Sequence, residues 1–124
     1  MIELILLTMV LIGLQLMLPS IIAFAGGQVS TAYLLSARDE SPETSQVAQR
    51  ASRAANNLLE TAPVFLTLAI LAVHKNADVL MFAQAWLALR VLYLGFYLTG
   101  TAYVRSLIWM AALVCLIGMG LALL

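Results

Sequence analysis

Apolar residues fall along this chain in four long blocks separated by short polar breaks. Leu4 to Ala25 carries no charge over 22 residues, and Ser106 to Leu124 carries none over 19. Each is long enough to cross a hydrocarbon layer ~30 Å thick. The pattern predicts a first helix over about Ile2 to Ala25, bent at Pro19 and ended by Gly26-Gly27. Gln28 to Ser45 then reads as a polar connection containing Arg38, Asp39, Glu40 and Glu43, with a short helical extension at its start. Ser45 is placed to cap a second helix running to about His74 through Pro63. Lys75-Asn76-Ala77-Asp78 is a turn. A third helix follows from about Val79 to Leu98, Thr99-Gly100-Thr101 is the next turn, and a fourth helix runs from about Tyr103 or Val104 to the end. The expected architecture is an all-α membrane protein, an up-down bundle of four transmembrane helices in one domain spanning residues 1–124.

The second helix departs from the plain apolar pattern. Arg50, Arg53, Asn57, Glu60 and Thr67 follow one another at spacings of three, four, three and seven, which puts them on one face. The third helix offers a matching face with Arg90, Tyr93 and Tyr97. Charges at membrane depth cost at least ~2.5–3.5 kcal/mol each and are rarely left facing lipid. Arg53, Glu60 and Arg90 therefore need partners, either each other or a ligand.

Composition fixes the solvent in which this pattern operates. The chain is 64% hydrophobic and only 10% charged, with mean hydropathy +1.03, against about a quarter charged in soluble domains. Its formal net charge is zero, which offers nothing to nucleic acid. One Cys and one His set far apart make no metal site, and Cys115 reads as packing. Glu3 in place of a basic start, and the length of the first apolar run, argue that this segment is retained and not cleaved as a signal. Arg38, Arg50, Arg53 and Arg105 fall at one end of the bundle and only Lys75 at the other. The positive-inside tendency turns the arginine-rich end to the cytoplasm and both termini away from it. Tyr33, Tyr103, Trp86 and Trp109 fit interfacial belts, His74 marks a helix boundary, and Gln15 is expected to bond a neighbouring helix.

Arginines outnumber acids at the cytoplasmic end, and tyrosines stand among them. That suits an anionic ligand better than a cation pathway. No nucleophile–base pair is visible, so in an enzymatic reading the nucleophile arrives with a cosubstrate.

Arg53-Ala-Ala-Asn-Asn57-Leu-Leu-Glu60-Thr-Ala-Pro63-Val-Phe-Leu resembles the RAxxNxxExxPxFL signature of the MAPEG family, the membrane-associated proteins in eicosanoid and glutathione metabolism. Arg90-Val-Leu-Tyr93-Leu-Gly-Phe-Tyr97, followed by Arg105-Ser106, resembles the family's second signature, and Gly27-Gln28-Val29 the end of its first helix. The resemblance spans essentially the whole chain and is nearest to short bacterial members. It implies a homotrimer in the bacterial inner membrane, with glutathione as cosubstrate bound between subunits near the cytoplasmic side. It implies that Arg53, Asn57, Glu60, Arg90, Tyr93 and Tyr97 hold glutathione and that Arg105 stabilises its thiolate. A guanidinium keeps its charge and lowers a thiol pKa without proton transfer. The implied activity is transfer of glutathione to, or reduction of, a hydrophobic electrophile that partitions from lipid. Three polar positions common in the family are here Gln49, Ala55 and Leu58.

Plainer readings stand beside these. Arg53, Asn57 and Glu60 equally describe a polar network fixing trimer register, Arg90 a partner of Glu60, Tyr93 and Tyr97 belt aromatics, and Arg105 a headgroup anchor. They define the alternative, a non-catalytic structural or lipid-binding trimer of the same fold. A four-helix drug/proton exchanger ranks last, since it needs an acid in the middle of the first helix and Glu3 lies at its terminus.

Overall fold

The structure, a computed structural model, describes residues 1–124 and contains only helices. They are α1 (Ile2–Ala25), a short α2 (Thr31–Leu35), α3 (Gln46–Lys75), α4 (Leu80–Thr99) and α5 (Ala102–Ala122). The four long helices are each long and apolar enough to cross a membrane. α2 is separated from α1 by Gly26-Gly27, with Gly27 at φ +72°, and is capped by Ser30. α5 begins at Ala102, slightly earlier than expected. Pro19 and Pro63 both lie inside continuous helices.

The turns carry their own chemistry. Ser45 Oγ accepts from the Ala48 amide at the start of α3, and the Ser45 amide donates to Gln28 Oε1, tying this end of α3 to the chain leaving α1. Asn76 (φ +53°) and Gly100 (φ +78°) end α3 and α4 in the left-handed region. The following amides reach back, Ala77 to Ala72 O and Thr101 to Phe96 O, which satisfies terminal carbonyls. Lys75 Nζ donates to Leu123 O at 2.8 Å, so the ends of α3 and α5 share one end of the bundle.

α3 is the central element and touches α1, α4 and α5. Its buried face reads Ala48, Ala51, Leu58, Ala62, Phe65, Ala69 and Ala72, with Ala55 completing a strict three-four alternation. That is a heptad seam built from small residues, which lets membrane helices approach closely. Opposite it, α4 presents Val79, Ala83, Trp86, Arg90 and Tyr93, also three and four apart. Trp86 therefore lies in the core and not at an interface: it is fully buried and stacks on Phe65 with ring centroids 4.1 Å apart. Gln15 is likewise buried, but neither of its amide atoms finds a partner. α1 packs along α3.

Candidate functional site

α3 has 30 residues and is about 45 Å long, so it outreaches the hydrocarbon layer. Its N-terminal turns reach the headgroup zone. Arg50 and Arg53 stand there, at the end where α4 stops and α5 starts. Arg90 is different, lying about 15 Å down α4 from Gly100, near the middle of the membrane.

Arg90 is 1% exposed, and its Nη2 donates to Asn57 Oδ1 at 3.0 Å. An arginine has no acceptor, so this contact fixes the orientation of the Asn57 amide: Oδ1 is engaged and Nδ2 remains a donor. The Arg90 guanidinium also lies 4.5 Å from the centroid of the Tyr93 ring, whereas its Nε and Nη1 have no partner. Tyr93 meets Tyr97 edge-on at 5.5 Å, and Arg105 lies over the Tyr97 ring at 4.7 Å. Five of the seven expected site residues thus form one chain of contacts across three helices: Asn57, Arg90, Tyr93, Tyr97 and Arg105.

Of the partners open to Arg90, the structure gives it Asn57 and not Glu60. Arg90 is buried within the subunit, and its bond orients the Asn57 amide. Arg53 and Glu60 are exposed, with Asn57 half-buried between them. Glu60 lies one turn below Asn57, about 4.5 Å deeper along α3.

Two openings adjoin this chain of contacts. A cavity of about 360 Å³ is lined by Asn57, Tyr93, Arg105, Ser106, Trp109 and Met110. Its lining combines amide, phenol, guanidinium and hydroxyl groups with the indole of Trp109 and the thioether of Met110. A cleft of about 140 Å³ lies beside Arg50, Arg53, Tyr97 and Arg105, with no carboxylate among its lining residues. A larger opening of about 690 Å³ sits at the far end near Glu3 and Asn76. It gathers no cationic side chain and lies away from the aromatic–arginine chain. No trio of metal-ligating side chains forms anywhere.

Sequence reasoning passed over two features here. Trp109 faces the cavity because it follows Arg105 by four residues, a spacing that was available in the sequence. Arg50 reaches the α4–α5 turn, donating from Nη1 to Leu98 O at 3.3 Å. That contact joins residues 48 positions apart and leaves no local pattern.

A family model described as the MAPEG family matches residues 4–124. The chain belongs to the MAPEG family. Neither the curated proteins nor the solved structures give a match to it. With MAPEG membership, the four apolar helices belong to an integral, multi-pass membrane protein in contact with lipid. The positions that depart from the signature also find their places. Leu58 and Ala55 are buried in the alanine seam inside the subunit, whereas Gln49 is exposed and bonds Thr44 O. Losing polar groups at 55 and 58 thus removes none from the cavity, whose α3 contribution is Asn57.

Proposed function

We propose that this protein is a membrane-embedded, glutathione-dependent transferase or peroxidase. It acts as a single domain over residues 1–124, assembled as a homotrimer, with its site towards the cytoplasm of a bacterial inner membrane. The observation that carries this reading is the lining of the 360 Å³ cavity, which brings the polar side chains of Asn57, Tyr93 and Arg105 together with the apolar surfaces of Trp109 and Met110.

Glutathione carries two carboxylates, one ammonium group and a thiol, and the residues present fit that inventory. Arg53 and the Asn57 Nδ2 donor suit carboxylates or peptide carbonyls, the exposed Glu60 suits the ammonium, and Tyr93 and Tyr97 offer phenols. Arg90 fits a supporting role, holding Asn57 as a donor. Glutathione supplies the sulfur nucleophile. Arg105 is held through the ring face of Tyr97, which leaves its N–H groups available to stabilise a thiolate. In transfer, a C–S bond forms, the leaving group departs with its electron pair, and the thiol proton passes to water. In the peroxidase branch, two glutathiones become a disulfide while a hydroperoxide becomes an alcohol and water.

Homotrimer formation is supported by α3. Beyond its alanine seam it carries a second three-four alternation, Arg53, Asn57, Glu60, Val64, Thr67, Leu71 and His74. All of these are exposed except half-buried Asn57. Lipid solvates Glu60 poorly, about 10 Å below the headgroup zone in which Arg53 stands, whereas a second and third copy of α3 would cover it.

Calorimetric titration of glutathione into the detergent-solubilised protein tests the reading. We expect saturable binding, weakened at least about tenfold by Arg53→Ala, a loss of about 1.4 kcal/mol, with assembly intact. Arg105→Ser should slow transfer to a general electrophile more than it weakens binding. A parent protein that gives no binding heat, together with an Arg53→Ala variant that dissociates, would favour the non-catalytic trimer.

A further inference from the structure

We infer that Arg50 is a positioning residue for Arg105, locking the α4–α5 turn from which Arg105 projects; the inference rests on the function proposed above.

Arg50 sits on α3, but its guanidinium lies against the turn between two other helices. It donates to Leu98 O, a terminal carbonyl of α4, where a cation also meets the negative end of the helix dipole. It fills the space beside Gly100. A Cβ built on Gly100 would stand 2.8 Å from Nη2, 2.9 Å from Cζ and 3.0 Å from Nη1 of Arg50. Gly100 is required by its φ of +78°, and the guanidinium, the movable end of a long side chain, packs where a Cβ would stand.

The turn held in this way joins the two partners of the Arg105 contact. Tyr97 is in the last turn of α4 and Arg105 in the first turn of α5. The 4.7 Å approach of the Arg105 guanidinium to the Tyr97 ring is set by the path of Leu98 to Ala102 between them. Thr101 provides no side-chain cap to the start of α5, so the clamp from α3 is the tertiary restraint on this segment. The charged groups around the site are Arg50, Arg53, Arg105 and Glu60, with Arg90 beneath them. Of these, Arg50 alone hydrogen-bonds the turn.

Two kinds of role make different forecasts. If Arg50 acted on bound glutathione through its charge, Lys would replace it. If it acts as a clamp, Lys fails, because a single ammonium lacks the planar breadth to bond Leu98 O and also cover Gly100. A cation about 4 Å from an anion that retreats by about 2 Å loses about a third of its interaction, equivalent to about one pH unit of thiol ionisation at an effective dielectric of ~20.

The test is the ultraviolet thiolate absorbance of glutathione bound to the full-length protein, titrated with pH, for the parent, Arg50→Met, Arg50→Lys and Gly100→Ala. Gly100→Ala displaces the guanidinium while leaving its charge in place. We expect all three variants to raise the pH of thiolate formation by about one unit, with glutathione affinity changed less than about threefold. A parent-like titration in Arg50→Lys would overturn the clamp. If Gly100→Ala does not fold, the Met and Lys variants decide alone. A parent that binds glutathione but shows no thiolate band removes the role of Arg105, and with it this inference. A normal parent with an unchanged Arg50→Met removes only the inference.

Discussion

A guanidinium has five donors and no acceptor, and Arg90 engages one acceptor, Asn57 Oδ1, while its charge faces the Tyr93 ring. It is buried near mid-membrane, so Asn57 serves both as its partner and as a donor to the cavity. These two duties separate by mutation. Asn57→Ala leaves a buried cation without its hydrogen-bond acceptor, which costs about 1–3 kcal/mol. Thermal unfolding in detergent, followed by circular dichroism, should show a marked fall in Tm. Asn57→Asp keeps an acceptor for Arg90 and removes the donor, so its Tm should stay near the parent's while calorimetry shows glutathione binding lost. An Asn57→Ala variant as stable as the parent would mean that Arg90 does not depend on this bond.

Helix packing turns on where small side chains lie. On α3 the alanine seam lets α1 and α4 approach, and on α5 Gly118 does the same for Phe82. A Cβ at Gly118 would come within 2.6–2.9 Å of three atoms of that ring. Gly118→Val should therefore overpack the α4–α5 contact by about 1–3 kcal/mol, read as a lower Tm. Trimming the ring with Phe82→Leu in the same chain should recover much of the loss. No recovery would place the effect in the helix propensity of position 118 instead.

The helices themselves were legible in the sequence, because an uncharged run of about twenty residues has few alternatives in lipid. The breaks at Gly26-Gly27, Asn76 and Gly100 were legible for the same local reason, a need for left-handed or flexible backbone. The face shared by Arg53, Asn57 and Glu60 followed from spacing alone. Trp86 was misplaced because an indole suits an interface and a core equally, and only the Phe65 ring opposite decides between them. The partner of Arg90 was left open by the sequence, because Asn57 and Glu60 are one turn apart on the same face. Gln15 was expected to bond a neighbouring helix, and its buried amide finds no partner within the subunit. Arg50 was unreadable, since its partners lie 48 and 50 residues away.

One subunit alone leaves an unresolved cost in the membrane. Glu60 is exposed on α3 about 10 Å below Arg53 and the headgroup zone, where a charge facing lipid costs at least ~2.5–3.5 kcal/mol. Three copies joined along the second seam of α3 would bury Glu60 and enclose the open side of each cavity. Assembly and ligand binding are then one claim about the whole molecule. Native mass spectrometry from mild detergent, with glutathione present, tests both at once. The account predicts a trimer carrying glutathione, with occupancy rising towards one per subunit. A stable monomer, or a trimer that stays bare at saturating glutathione, would contradict it.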